Sequence, residues 1–229
     1  MYVEMKALNF QYKNAKEEAI KDFSMNIEKG EIIAILGESG SGKSTVLRLI
    51  SGLEVPKCGF IQIDQRTMVD QHTFILPEKR GVGMVFQDYA LFPHMTVEKN
   101  IEFGLKGMGR KEKNQKVREV LALVDMEKFH KRYPYELSGG QQQRIALART
   151  LAPNPSLVLL DEPFSNLDKD LQIRIREELK EIIKSTQITS IFVTHDKEDA
   201  KAIADRVVIL KEGKIIQVGN PKELLNKKI

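Results

Sequence analysis

A glycine-rich stretch between an apolar run and a helical pattern restricts the possible folds of this chain more than any other feature of its sequence. The apolar run, Ile32 to Leu36, is typical of a strand that is buried on both faces. The stretch after it has the pattern G-x-x-x-x-G-K-[ST], in which glycines let backbone N–H groups turn toward phosphates and the following helix adds positive potential. A flexible Gly/Ser turn is the alternative, but the position between strand and helix favours a phosphate-binding loop in an α/β fold. The residues of this loop are Gly37, Glu38, Ser39, Gly40, Ser41, Gly42, Lys43, Ser44 and Thr45.

Two carboxylates follow a second short apolar run, Leu157 to Leu160. In an open parallel sheet, ligands collect beyond the carboxyl ends of the strands, so Asp161 and Glu162 would lie beside the phosphate loop if the two strands are neighbours. We expect Lys43 to reach the β- and γ-phosphates of a nucleotide, and Ser44 to ligate Mg²⁺ together with Asp161. Glu162 is placed to polarise the water that attacks the γ-phosphate. A solvated acidic pair that merely ends a strand is the alternative.

The rest of the chain alternates strand and helix patterns, which is typical of an α/β domain. Phe23, Met25 and Ile27 alternate before a turn and predict an antiparallel start. From Pro93 to about Leu151 the pattern is helical, and no strand candidate interrupts it. We therefore predict an antiparallel β subdomain and an inserted α-helical subdomain. The remaining predicted elements are helices over 96–105, 111–124, 141–151, 171–183 and 197–204, strands over 157–160 and 190–194, and a hairpin of 207–210 and 215–218.

Composition excludes several other classes of protein. Hydrophobic residues make up 41% of the 229 residues, which is enough for a core and argues against disorder. No run approaches the roughly 20 apolar residues that cross a bilayer, and the start MYVEMKALNF lacks the apolar region of a signal peptide, so we expect a cytoplasmic chain. Cys58 is the only cysteine and cannot form an internal disulfide. The 36 basic and 32 acidic residues are spread along the sequence, and we expect no nucleic-acid partner.

A second loop at a helix start carries the resemblance to a known family. Leu137-Ser138-Gly139-Gly140-Gln141 precedes a helical run and forms another anion-binding device in one small domain, although a plain Gly-Gly helix start is the alternative. With the phosphate loop before it and Asp161 after it, this motif resembles the signature of the ATP-binding subunits of ABC transporters. The resemblance runs from about Tyr2 to about Gly219. It implies a single ABC ATPase domain over 1–229, with a P-loop NTPase core formed by 1–92 and 152–229 and a helical subdomain over about 93–151.

The resemblance also implies roles for single residues. Tyr12 is similar to the aromatic residue that stacks on adenine, although a core tyrosine at a strand end is the alternative. Gln87 is similar to the glutamine that touches Mg²⁺ and the attacking water. His195 is similar to the switch histidine that contacts the γ-phosphate, where a structural histidine is the alternative. Ser165-Asn166-Leu167-Asp168 resembles the D-loop, with Asn166 where alanine is more usual. The implied catalytic residues are Lys43, Gln87, Glu162 and His195.

Partners are also implied by the resemblance. In the family, two such chains form a head-to-tail dimer in which the phosphate loop of one and Ser138, Gly139, Gly140 and Gln141 of the other clamp the same ATP. The stretch Gly83 to Val97 is similar to bacterial importers of sugars, polyamines, sulfate or ferric iron. We therefore expect ATP and Mg²⁺ as ligands, permease subunits from other chains, a solute-binding protein as an indirect partner, and a place on the inner face of the cell membrane. A soluble ABC ATPase that acts on ribosomes or DNA and an inactive assembly module are the alternatives.

Overall fold

Two β-sheets organise the part of the chain that the computed structural model describes, which is residues 1–165 and 169–225. The strands of the first sheet are β1 (Val3–Phe10), β2 (Ile20–Ile27), β4 (Cys58–Ile63) and β5 (Arg66–Val69). Their order is β2-β1-β4-β5 and their pairing is antiparallel, with Met5 opposite Met25 on one side and Ile61 on the other. The predicted antiparallel subdomain is confirmed, and it contains three strands that the sequence patterns did not single out.

The second sheet is parallel except at one edge. Its strands are β3 (Ile32–Leu36), β6 (Val82–Val85), β7 (Leu157–Asp161), β8 (Thr189–Thr194), β9 (Arg206–Lys211) and β10 (Lys214–Gly219). They are ordered β10-β9-β3-β8-β7-β6, and the β9–β10 hairpin is antiparallel. Both faces of β3 are buried: Ile33 and Ile35 belong to the core shared with the antiparallel sheet, whereas Ala34 belongs to the core beneath most of the helices. This double burial explains the uninterrupted apolar run.

Apart from the last one, which no sequence pattern predicted, the described α-helices occupy the places that the sequence patterns predicted. The α-helices of the described residues are α1 (Lys43–Ser51), α2 (Val97–Glu102), α3 (Arg110–Leu123), α4 (Gly139–Leu151), α5 (Lys169–Thr186), α6 (Lys197–Ile203) and α7 (Pro221–Leu225). The helix predicted over 96–105 is shorter than expected, and it begins after Thr96, whose hydroxyl accepts a hydrogen bond from the Lys99 backbone at 3.4 Å. Within 1–165 and 169–225, no helix has both the length and the apolar character that a membrane crossing requires.

The structure corrects one assumption about strand order. The strands β3 and β7 are not neighbours, because β8 lies between them and pairs with both. Helix α1 follows β3 and packs against both β7 and β8, so it spans the intervening strand. Its first turn therefore reaches the carboxyl end of β7. The phosphate loop and the acids after β7 meet because α1 crosses β8, and not because β3 and β7 are neighbours.

Candidate active site

The phosphate loop joins β3 to α1 and is packed tightly against the chain behind it. A Cβ atom on Gly37 would collide with the carbonyl oxygen of Leu210, and one on Gly42 would lie 2.6 Å from the carbonyl oxygen of a residue before β2. Gly42 also has φ 102°, which L side chains rarely adopt, and it begins α1 without a side-chain cap. The first N–H groups of an α-helix have no partner inside the helix, so this uncapped end presents donors to an anion.

Lys43 places its ammonium inside this loop. Its side chain is 4% exposed, and Nζ donates to the carbonyl oxygens of Gly37 and Glu38 at 2.9 Å each. The same nitrogen lies 3.9 Å from Glu162 Oε1. A buried ammonium held by two neutral carbonyls is a strong electrostatic partner for a phosphate, because little water surrounds it.

The remaining predicted residues of the loop divide into exposed and buried groups. Glu38, Ser39 and Gly40 are exposed, and Gly40 has φ 81°. Ser41 is buried, and its Oγ has no hydrogen-bond partner in the described part of the chain. A buried hydroxyl without a partner is costly unless something else satisfies it. A phosphate oxygen in the loop would do so, which is one observation that fits a nucleotide here.

Ser44 and Asp161 form the contact between α1 and β7. Ser44 Oγ donates to Asp161 Oδ1 at 2.7 Å, and the Asp161 side chain is buried at the end of its strand. Burial raises the pKa of the Asp161 carboxyl above its usual range, the charge of Glu162 raises it further, and the hydrogen bond from Ser44 opposes both. A hydroxyl and a carboxylate oxygen are hard donors of the kind Mg²⁺ prefers, and Mg²⁺ commonly takes one or two protein ligands and completes its shell with waters and phosphates. These residues therefore fit the metal.

Glu162 has a strained backbone, and its carboxylate lies between the side chains of Lys43 and His195. Its φ is 43°, in the left-handed region that non-glycine residues seldom adopt, and strain of this kind is concentrated at functional sites. Its backbone N–H donates to the Val193 carbonyl at 3.1 Å, which ties it to β8. Its Oε2 lies 3.2 Å from His195 Nδ1, while Oε1 faces Lys43. Three predicted catalytic residues are therefore in contact.

Gln87 is connected to this group through Ser165. It follows β6, and its Nε2 donates to Ser165 Oγ at 3.2 Å. Ser165 Oγ in turn donates to the carbonyl oxygen of Glu162 at 3.0 Å. Ser165 is the first residue of the predicted D-loop, and residues 166–168 lie outside the described part of the chain, so the prediction for Asn166 stays a prediction.

Tyr12 lies against the first turn of α1. Its hydroxyl is 3.0 Å from Thr45 Oγ1, and its ring meets the ring of Phe10 edge to face, with centroids 4.7 Å apart. It is half-buried and lies two residues after the end of β1, beside the phosphate loop. An aromatic ring at this edge fits the base of a nucleotide whose phosphates lie in the loop.

The predicted signature motif, residues 138–141, stands apart from the phosphate loop in the described part of the chain. Ser138 begins α4 and exchanges hydrogen bonds with Gln141: the Ser138 backbone donates to Gln141 Oε1 at 3.0 Å, and the Gln141 backbone donates to Ser138 Oγ at 3.4 Å. Ser138 is exposed and Gly140 is buried. Among the described residues, no hydrogen bond or ion pair joins 138–141 to 37–45.

Sequence reasoning missed two residues, Arg149 and Asn100, that hold the backbone of the loop after Gln87. Tyr89 and Ala90 have φ 62° and 46°, and their carbonyl oxygens accept hydrogen bonds from Arg149 at 3.0 and 2.7 Å. Arg149 is in the last turn of α4, and burial lowers the pKa of its guanidinium. Asn100, fully buried in α2, bonds the backbone of Phe92 through both its carbonyl and its amide. Nothing in the sequence spacing indicates these contacts, because they join residues about sixty positions apart or depend on the fold of an irregular loop.

Comparisons with known proteins agree with this geometry. The family model described as ABC transporter matches residues 20–165. The chain is 49% identical to a sulfate/thiosulfate import ATP-binding protein of Halalkalibacterium halodurans over 90% of its own length, and 46% identical to an Fe(3+) ions import ATP-binding protein of Pectobacterium atrosepticum over 97%. It spans 58% and 62% of the lengths of these two relatives.

A solved structure is also similar over nearly its whole length. It is the dimeric ATP-binding cassette MJ0796 in a post-hydrolysis state bound to ADP and Pi, with 35% identity, a TM-score of 0.81, and coverage of 96% of this chain and 98% of that one. Likeness at this identity includes sequence as well as fold. The predicted α/β P-loop fold is confirmed, and the chain with this phosphate loop, strand-end acids and capped Gly-Gly helix belongs to the ABC transporter family.

Proposed function

We propose that this chain is the ATP-binding and ATP-hydrolysing subunit of a membrane importer and that it acts through ATP-driven dimer closure. The observation that carries the proposal is the position of the Glu162 carboxylate, 3.9 Å from Lys43 Nζ and 3.2 Å from His195 Nδ1. Groups of this kind are required where a γ-phosphate and an attacking water meet. We assign 1–92 and 152–229 to the core and about 93–151 to the helical subdomain of one ABC ATPase domain over 1–229.

The chemistry divides among the residues according to their surroundings. The loop N–H groups of 37–45 and Lys43 bind the phosphates, and Lys43 stabilises the negative charge that grows there in the transition state. Glu162 is better placed than Asp161 to polarise water, because its side chain is 21% exposed whereas Asp161 is buried against Ser44. His195 contacts the γ-phosphate from beside Glu162, and Tyr12 stacks on the adenine.

Ser44, Asp161 and Gln87 would hold Mg²⁺, which would neutralise phosphate charge when bound. Gln87 also orients the attacking water, since its contact with Ser165 places it next to the segment that carries Glu162. We assign the metal-binding role because Ser44 and Asp161 supply oxygen atoms that are in contact with each other. We assign the role of Gln87 because it is hydrogen-bonded to Ser165.

A second copy of the chain completes the site. The exposed N-terminus of α4, with Ser138, Gly139, Gly140 and Gln141, has no phosphate-binding partner within 37–45 of its own chain among the described residues. The similar cassette MJ0796 is dimeric and binds ADP and Pi. We propose that this helix end contacts the ATP held by the phosphate loop of the other copy, so that closure follows ATP binding and opening follows hydrolysis.

The importer assignment rests on relatives whose names give different cargoes, sulfate or thiosulfate in one and Fe(3+) ions in another. Shared sequence among subunits with different cargoes supports a motor that other chains direct, so we propose permease subunits as direct partners, a solute-binding protein as an indirect one, and a place on the inner face of the cell membrane. The permease would dock on the segment from Gln87 to Glu102, whose backbone is held by Arg149 and Asn100. The next residue, Phe103, has a side chain that is 51% exposed and adds apolar surface beside this segment.

Cross-linking tests the docking segment. In a Cys58→Ser background, which removes the exposed native thiol, Ala90→Cys and Pro93→Cys should each form cross-links to co-expressed permease chains. A cysteine at exposed Glu212, in the hairpin turn on another part of the surface, serves as the control. Equal capture by the control, or capture by the control alone, would place the interface elsewhere.

ATP-dependent dimerisation tests the proposed function itself. Glu162→Gln keeps the shape of the side chain and removes the charge that activates water, so hydrolysis should stop while ATP binding survives. The variant should accumulate as a dimer in ATP and Mg²⁺, because a ligand that binds the dimer shifts the association equilibrium. Light scattering measures the mass, and Glu18→Gln, the same change at a surface ion pair with Lys57, is the control. A Glu162→Gln protein that stays monomeric at saturating ATP would contradict the composite site.

A further inference from the structure

A buried ion pair lies behind the turn that carries His195. Asp199, on α6, is 2% exposed, and Arg176, on α5, donates to its Oδ1 from Nε at 2.9 Å and also from Nη2. Asp199 Oδ2 accepts from Thr194 Oγ1 at 2.7 Å, so both carboxylate oxygens are engaged. Burying two charges carries a desolvation cost that well-packed apolar residues would avoid, so stability is a weak reason for such a pair.

Thr194 connects this pair to the candidate catalytic turn. It immediately precedes His195, and its hydroxyl donates to Asp199 while accepting a hydrogen bond from the Asp196 backbone at 3.0 Å. Residues 194 and 196 flank His195, so the hydroxyl fixes the backbone from which the imidazole projects. The imidazole itself is 63% exposed and depends on that backbone for its direction.

Arg176 also contacts the segment that follows Glu162. Its guanidinium lies 6.0 Å from the ring centroid of Phe164, which is 2% exposed and two positions after Glu162. Because the backbone of Glu162 is strained at φ 43°, its geometry depends on packing by its neighbours. The Arg176 guanidinium thus contacts the segment that follows Glu162 directly. Through its ion pair with Asp199 it also supports the turn that carries His195.

Resting on the ATPase function proposed above, we propose that Arg176, Thr194 and Asp199 are positioning residues that hold His195 and Glu162 at contact distance. In the part of the chain that the structure describes, no side-chain hydrogen bond or ion pair joins these three residues to the phosphate loop. They therefore act on the orientation of the catalytic pair and leave nucleotide binding to other groups. A misplacement of about 1 Å commonly costs on the order of 100-fold in rate, so a positioning network of this kind has a measurable effect on turnover.

Four variants of the full chain separate positioning from general stability. Thr194→Val removes the hydroxyl without changing shape or charge, Thr194→Ser retains it, and Asp199→Asn removes the ionic partner of Arg176. The control is Glu178→Gln, which breaks the ion pair of Glu178 with Arg144 on the same helix as Arg176. Thr194→Val and Asp199→Asn should lower kcat by roughly 30-fold with the KM and Kd for ATP changed less than about twofold, whereas Thr194→Ser and Glu178→Gln should leave kcat within about twofold of wild type.

A double-variant test asks whether the loss passes through His195. Thr194→Val added to His195→Ala should cost no further activity, because the group it positions is already gone. A further loss there, or a loss of kcat in Glu178→Gln as large as in Thr194→Val, would overturn the inference. If Asp199→Asn fails to fold, the isosteric Thr194→Val decides the question alone.

The same measurements distinguish this inference from the proposed function. A wild-type chain without Mg²⁺-dependent ATP hydrolysis would overturn the proposed function and the positioning role with it. A wild type that hydrolyses ATP, loses activity with His195→Ala and retains it with Thr194→Val and Asp199→Asn would overturn the positioning role alone.

Discussion

Two helix N-termini in this chain carry glycine-rich motifs, and they differ in how their backbone donors are satisfied. Helix α1 begins at Gly42 with no side-chain cap, and a buried lysine and a buried serine hydroxyl lie within its loop. Helix α4 begins at Ser138, and Ser138 and Gln141 cap each other. The first end needs a ligand to be satisfied, whereas the second is already satisfied in part and is exposed. This difference supports the proposal that α1 provides most of the affinity for phosphates and that α4 adds its contact only when a second copy of the chain brings phosphates to it.

Loss of the ammonium at α1 should have the largest effect. Lys43→Ala should lower Mg²⁺-dependent ATP hydrolysis on the order of 10³-fold, because it removes the charge that faces the β- and γ-phosphates. Steady-state turnover at saturating ATP measures the loss. Lys57→Ala, which removes a surface lysine paired with Glu18, is the matched control and should retain full activity. Turnover of Lys43→Ala within about threefold of wild type would contradict the proposal that the N-terminus of α1 provides most of the affinity for phosphates.

A bulky charged side chain at α4 should have the next largest effect and should separate hydrolysis from binding. Ser138→Arg should lower hydrolysis on the order of 10²-fold, since the second phosphate contact is blocked, while ATP affinity of the monomer stays within about threefold of wild type. Equilibrium binding of a fluorescent ATP analogue and turnover measure the two quantities. A large loss of monomer affinity would instead place both helix ends on one nucleotide.

Mixing the two inactive variants sharpens the comparison further. A mixed dimer of Lys43→Ala and Ser138→Arg chains contains one site with both defects and one site with neither. Random pairing would therefore restore about a quarter of wild-type hydrolysis if each site joins the two ends from different chains. No recovery in the mixture, with dimers present by light scattering, would argue that each chain completes its own site.

The smallest expected effect concerns Tyr12, the aromatic residue beside the first turn of α1. Tyr12→Ala should weaken ATP binding by about 10-fold, in line with the loss of one stacked base, and should change kcat little. Tyr12→Phe is the control because it retains the ring and loses only the contact with Thr45. Equal weakening of GTP and ATP would show stacking without base selection. Unchanged affinity in Tyr12→Ala would favour the alternative of a core tyrosine.

Local patterns were sufficient for the elements whose signal lies within the segment itself. The runs Ile32 to Leu36 and Leu157 to Leu160 are buried on both faces and therefore apolar throughout, and Ser138 marks a helix start by its own chemistry. Strand β6 has four residues, one of them Gly83, and a segment so short carries little periodic signal. Its place in the sheet is decided by pairing with β7, about seventy positions away.

The part of the site that could not be predicted depends on long-range packing. The motifs predicted that Ser44, Asp161 and Glu162 have related roles, and the structure brings them together, although the condition on which that expectation depended, that β3 and β7 are neighbours, is not met. Arg176 and Asp199 lie on different helices, and neither belongs to a motif. Their contact results from how α5 and α6 cross, which no spacing in the sequence encodes.

The phosphate loop also has a consequence for the order in which the protein can be made. Gly213, in the turn between β9 and β10, donates from its backbone to Ser41 O at 3.0 Å and accepts from Lys21 N at 2.9 Å, and a Cβ on it would lie 2.6 Å from Ala19 O. The loop is thus braced by the turn of the β9–β10 hairpin, the last strand pair in the described part of the chain. During synthesis, about 170 further residues must be added after the phosphate loop before Gly213 is made, at roughly 5–20 residues per second. We therefore expect nascent chains that stop short of Gly213 to bind ATP poorly, so that nucleotide can stabilise only chains that already contain the β9–β10 turn.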